Sequence, residues 1–246
     1  MKKIILSLIL IAVCSGVYAE KTDVIKSKKD DLPPILGGVV RSVKWFHKKN
    51  LPFEDSEEFI GDVSYKNPYY EVKADWALSD RLKNTFFARK NVWGKKIWKD
   101  GSVSEVSGDS AQYNRNTQTA QMLPQEGGFV KIKHSEPAHG IWRSLSRKVT
   151  FDEKEQQIDL MGDVQIKSEQ NNALADKISY YYQSNSFEFS GDPAIWGTYK
   201  DYNFAVTGKH AKADNFFNKI EVKEKVTGWI KNTKGTIDDA IKMSKP

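Results

Sequence analysis

The chain has 246 residues, with 38 Lys and Arg against 32 Asp and Glu, a formal charge of +6, 12% aromatic residues and a single cysteine. One cysteine excludes a disulfide framework and a thiolate metal cage. A charge excess this small and well mixed describes a solvated surface with a mild preference for anionic partners.

Residues 1–19 form the first element. "MKK" is a basic start, Ile4 to Val13 is apolar except for Ser7, and "VYA" ends in small or medium residues at a cut after Ala19. This pattern predicts a cleaved secretory signal peptide and export to the periplasm. The run is short for a membrane helix, which needs about 20 apolar residues. Lipidation at Cys14 is the other alternative, but Val13 stands where a small residue is needed. Residues 20–57 follow as a charged linker and N-terminal segment. "EKTDVIKSKKDDLPP" has too few large apolar groups to offset its own ordering entropy. "VVRSVKWFHKKN" fits a short strand or a short helix docking Val43, Trp45 and Phe46. Residues 231–246, with isolated Ile237 and Ile241, read as a tail or a short helix.

From 58 to 230 the period is two. In "QIDLMGDVQIK", Ile158, Leu160, Val164 and Ile166 share one parity, and polar residues hold the other. This is the alternation of a half-buried strand. It recurs with Ile178, Tyr180 and Tyr182, with Phe187 and Phe189, with Phe204 and Val206, and with Ile220 and Val222. Turn formers such as "NPYY", "KDG", "EQNN" and "QSN" separate the runs. Short strands at this spacing predict an all-β sandwich, barrel or solenoid.

A Gly-Asp-apolar step repeats within this region. "GDV" begins at Gly61 and Gly162, "GDP" at Gly191, and the looser "KNV", "GGF" and "EKV" at Lys90, Gly127 and Glu224, at intervals of 29 to 37 residues. Ala-Asp elements such as "VKADWAL" and "ALADKISY" fall midway. Each unit reads as a strand pair that cannot bury its own apolar face, so several must stack. A glycine inside a strand allows a bulge or a sharp bend, by which one strand serves two sheets; a plain turn is the simpler alternative.

"GDVQIKSEQNNALADKISYYYQSNSFEFSGDPAIWG" with "AVTGKHAKADNFFNKIEVKEKVTGWI" resembles the OstA-like family of lipopolysaccharide-transport proteins, to which periplasmic LptA and its membrane-tethered relative LptC belong. The resemblance covers most of the chain after the linker, and the charged segment before Glu58 is longer than the family pattern. It implies a β-jellyroll or V-shaped β-sandwich built from stacked strand pairs. It also implies an apolar groove for lipid A acyl chains, and stacking by sheet edges with other jellyroll transport components or with itself to bridge the inner and outer membranes. Under it, Ile158, Leu160, Val164, Ile166, Ile178, Tyr180, Phe187, Phe189, Phe204, Val206, Ile220 and Val222 line the groove. Lys90, Lys95, Lys96 and Lys99 of "KNVWGKKIWKD" meet headgroup phosphates. No cofactor, metal or nucleic-acid partner is implied.

Catalytic patterns are weak. His134 and His139 lie in a Pro- and Gly-containing loop, which does not set two metal ligands on one face. Asp75, Asp109, Asp163, Asp176, Asp192 and Asp214 recur with the repeat and suit turns better than paired catalytic carboxylates. A glycolipid carrier without chemistry of its own is the expectation. A structural or adhesive β-solenoid with a solid core and a glycan-processing enzyme are the alternatives.

Overall fold

The computed structural model describes residues 39–48, 55–66, 68–98, 101–137, 140–214 and 217–233. The expected signal peptide, much of the expected linker, Lys99, His139 and the tail beyond residue 233 lie outside the described residues. Eighteen strands form one continuous antiparallel sheet, and the described residues contain no helix. The all-β expectation is met, with the strand-pair organisation of a β-jellyroll sandwich.

Six strands run unbroken: β3 (Ser56–Lys66), β4 (Tyr70–Asp80), β5 (Thr85–Ile97), β6 (Val103–Asn114), β11 (Gln157–Lys167) and β12 (Asn171–Tyr181). The others are halves of strands broken once near the middle. These halves are β1 (Val39–Arg41) with β2 (Lys44–Lys48), β7 (Thr119–Leu123) with β8 (Val130–Glu136), and β9 (Gly140–Ser146) with β10 (Lys148–Asp152). They continue as β13 (Ser186–Ser190) with β14 (Ala194–Tyr199), β15 (Tyr202–Thr207) with β16 (His210–Asp214), and β17 (Ile220–Lys223) with β18 (Thr227–Asn232). Each pass of chain pairs antiparallel with the next, so the whole is a meander.

Breaks and bulges line up into one crease that divides the sheet into two wings. The first wing holds β2, β7, β10, β13, β16 and β17; the second holds β1, β8, β9, β14, β15 and β18. Each unbroken strand gives half its length to each wing. The repeated Gly-Asp-apolar step is this crease. Gly61, Lys90, Gly127, Gly162, Gly191 and Glu224 all have positive φ, and in five cases so does the following residue. Two successive left-handed residues insert an extra residue and turn the strand through a corner. Accordingly the three steps from Met161 to Val164 face only two on the partner, from Lys177 to Ala175. Gly191 must be glycine for two reasons: its φ is 79°, and a Cβ there would lie 2.4 Å from Asp176 Cβ. The Gly step of one pass thus abuts the Ala-Asp element of the pass before it.

On each wing the inner face carries apolar side chains in cross-strand register. One row runs from Trp45 and Phe59 through Ala77, Met122 and Leu160 to Phe189 and Val222. Its counterpart on the second wing includes Val40, Val106, Ile132, Ile166, Ile195 and Val206. The faces meet in one core. Across the gap the Trp142 ring stands edge-on to Phe187 at 5.8 Å, and Trp98 reaches Tyr182 at 5.0 Å. Strict alternation fails at the crease. In β12, Ala173 and Ala175 face inward, Asp176 and Lys177 both face outward, and inward packing resumes at Ile178.

Candidate functional site: the cleft between the wings

Eight of the residues expected to line a groove are buried between the wings: Ile158, Leu160, Val164, Ile166, Ile178, Tyr180, Phe187 and Phe189. Phe204, Val206, Ile220 and Val222 lie on the last two passes, half-buried and packed against the same core. The inner face loosens toward this edge. Ile195 is buried, its cross-strand neighbour Val206 is half-buried, and Ile230, opposite Phe204, is 40% exposed. The interior therefore has an apolar mouth at the C-terminal edge.

A cavity of about 50 Å³ is bounded by Val106, Met122, Ile132, His134, Trp142 and Tyr180, among others. Drug-sized ligand pockets run to roughly 300–1,000 Å³, so this cavity as it stands holds a few waters and no acyl chain. A lipid could enter this part of the cleft only as the wings part.

The four lysines expected at headgroups do not share one surface. Lys90 is exposed on the crease with φ 61°. Lys95 points outward, in register between Glu71 and Glu105. Lys99 lies outside the described residues. Lys96 turns inward, and only 4% of it is exposed. Its Nζ sits 3.8 Å from the ring centre of Trp98 and 5.3 Å from that of Tyr70. Burial lowers its pKa from 10.5 to about 7, and the Glu153 carboxylate works against that shift. Burial also raises the Tyr70 hydroxyl to about 12, with Glu153 and Tyr65 adding to the effect. Glu153, itself buried, accepts a hydrogen bond from Tyr113 Oη at 3.2 Å.

This group joins the free ends of the wings. Lys96, Tyr70 and Trp98 stand at the tip of the second wing. Glu153, Tyr113 and Tyr182 stand at the tip of the first. The V is closed at its tips by a polar and aromatic cluster that periodicity did not reveal. One signal was present: in "VWGKKIW", Lys96 shares parity with Val92 and Gly94, both of which face inward.

A second polar chain runs along the inner face of the second wing near its tip. Trp98 Nε1 donates to Ser104 Oγ at 2.9 Å, Ser104 Oγ meets His134 Nδ1 at 2.8 Å, and His134 Nε2 meets Glu136 Oε1 at 3.1 Å. The consistent proton arrangement has Ser104 donating to Nδ1 and Nε2–H donating to Glu136. The order Ser, His, Glu has the members of a hydrolytic triad. Here, however, the serine oxygen is engaged on both sides, so the chain satisfies buried polar atoms. Of the recurring aspartates, Asp75, Asp109, Asp163, Asp176 and Asp192 lie along the crease, where Asp163, Asp176 and Asp192 are exposed on the outside, and Asp214 ends β16 opposite Ser186, at the tip of the first wing. Asp163 accepts from Arg147 at 3.0 Å, and Asp75 from Asn91 at 2.9 Å. No group of residues able to hold a metal occurs among the described residues. Likewise no described helix is long and apolar enough to cross a membrane.

No family model matches the chain, and no curated protein matches it. Among solved structures it is similar to the crystal structure of LptH, the LptA-homologous periplasmic component of the conserved lipopolysaccharide transport device of Pseudomonas aeruginosa. Identity is 16%, the TM-score is 0.39, and the match covers 46% of this chain and 75% of that one.

Proposed function

We propose that this protein is an exported carrier that shields the acyl chains of an amphipathic glycolipid such as lipopolysaccharide between its wings. The observation that carries the reading is the apolar inner face, continuous across the meander and opening at Phe204, Val206 and Ile230. Each acyl methylene removed from water contributes about 0.8 kcal/mol, which works against the loss of contacts as the wings separate. The inward residues from Ile158 to Val222 act as the acyl-chain surface. Lys90 and Lys95 are the expected headgroup lysines that stand on the outside. The residue 58–230 region works as one unit behind a periplasmic signal peptide, without chemistry of its own.

The first and last passes each pair on one side only among the described residues, β1 and β2 with β3, β17 with β16 and β18 with β15. Such edges are templates for strand addition. A second jellyroll component or another copy of this chain would extend the apolar path there.

The small cavity favours a second reading, a structural β-protein with a solid core. Photo-crosslinking separates the two. A photoreactive residue at Phe204, on the inner face, should yield glycolipid adducts in cells that make lipopolysaccharide, and one at outward Gln165 should not. Equal labelling at both sites, or none at either in a folded protein, overturns the carrier reading.

A further inference from the structure

The outer face of the second wing carries a feature that the cleft does not explain. One cross-strand row runs along it through Lys66, Glu71, Lys95, Glu105 and Lys133, then Arg143 and Lys167, then Asn172, Trp196, Ala205 and Trp229. Directly opposed residues in antiparallel strands share a face, so these side chains form one stripe. In its first half the charges alternate, and Lys133 pairs with Glu105 at 3.5 Å. After that the alternation stops. Arg143 and Lys167 are neighbours of like charge, both exposed, and neither makes an ion pair among the described residues.

Beyond the cations the same face becomes apolar where a sheet should meet water. Trp196 is 37% exposed, Trp229 50%, and Leu174, in the adjoining row, 41%. The two tryptophans flank Ala205, whose small side chain leaves both rings accessible. Exposed Lys131 and Lys231 border the stripe. Acids near this part of the face include Glu169, in the turn between β11 and β12, and Asp201, in the turn between β14 and β15. Unpaired basic residues beside exposed indoles match the layered chemistry of a bilayer surface: anionic phosphates outside, and an interfacial zone where tryptophan is favoured.

We propose that the outer face of the second wing docks on an anionic lipid bilayer, with Arg143 and Lys167 on the phosphates and Trp196, Trp229 and Leu174 seated among the headgroups. This places the apolar mouth at the C-terminal edge beside the membrane. The proposal stands apart from the carrier reading, because none of its residues faces the cleft.

The test is co-sedimentation of the exported full-length chain with vesicles of phosphatidylglycerol in phosphatidylcholine, and with vesicles of phosphatidylcholine alone. Binding should require phosphatidylglycerol and weaken with salt. A basic residue near an anionic surface contributes about fivefold to partitioning. The pair Arg143→Gln and Lys167→Gln should therefore weaken binding roughly twentyfold or more. Trp196→Ser with Trp229→Ser should also abolish it, while the unfolding midpoint and crosslinking from Phe204 stay as in the parent. Absence of binding, equal binding to both vesicles, or binding indifferent to these variants overturns the proposal. So does a change of oligomeric state with vesicle binding unaltered, which would assign the stripe to contact between copies.

Discussion

Lys96→Met tests the closure of the wing tips. Methionine keeps the unbranched length of the lysine stem and removes the amine from a site where it is 4% exposed. In the folded chain the amine's pKa falls from 10.5 to about 7, whereas the unfolded chain retains the ordinary value. Between these limits the unfolded state binds more protons, so parent stability rises with pH through the window. Below pH 7 both states are charged and the full deficit is present. The rise from pH 7 to about pH 10 amounts to roughly 3–4 kcal/mol. Tyr70, raised to about 12, acts in the opposite direction only above its ordinary pKa. The Met variant lacks this slope. Its advantage should be largest at neutral pH, reduced by whatever Glu153 loses with its cation, and should shrink as pH rises. The assay is urea unfolding of both proteins followed by tryptophan emission at several pH values. Parallel curves for parent and variant would show that Lys96 stays hydrated and that the tips are not sealed around it.

Gly191→Ala and Gly127→Ala share a left-handed backbone but not their surroundings: a Cβ at Gly191 collides with Asp176, and one at Gly127 meets nothing within 4 Å. Chemical denaturation should show a loss of about 1–2 kcal/mol for Gly127→Ala and about 3 kcal/mol or more for Gly191→Ala. Phe187→Ala removes a buried ring in contact with Trp142, Tyr180 and Phe217 and should cost about 3–5 kcal/mol by the same measurement. Cysteines at Trp98 and Tyr182, in a chain with Cys14 replaced, place a short bifunctional maleimide across the tips. Crosslinking should block glycolipid capture, and uncrosslinked protein should retain it. Unchanged capture would mean that lipid does not enter by parting the wings there.

Local chemistry made much of this architecture readable in the sequence. Alternation of period two marked the strands, because successive side chains in a strand point to opposite faces. The Gly-Asp-apolar step marked the crease, because a corner in a strand needs left-handed backbone, which glycine adopts without strain. Lys90 and Glu224 were recognisable only by their spacing, since nothing in a lysine or a glutamate announces a positive φ. The reversal of parity in β12 at Asp176 and Lys177 was not readable, because it arises from an extra residue in the strand beside it.

Only the tertiary structure decided which end of each strand meets which. Folding the sheet along its crease brings the β5 end to the β10–β11 turn. Lys96 thereby faces Glu153, residues 57 positions apart that carry no shared local pattern. The same folding fills the cleft with Trp142, Tyr180 and Phe187. The sequence specifies how apolar the inner face is, but how far apart the faces stand depends on the volumes opposed across the gap. Cross-strand register, likewise set by pairing, is what aligns Arg143, Lys167, Trp196 and Trp229 into a single stripe.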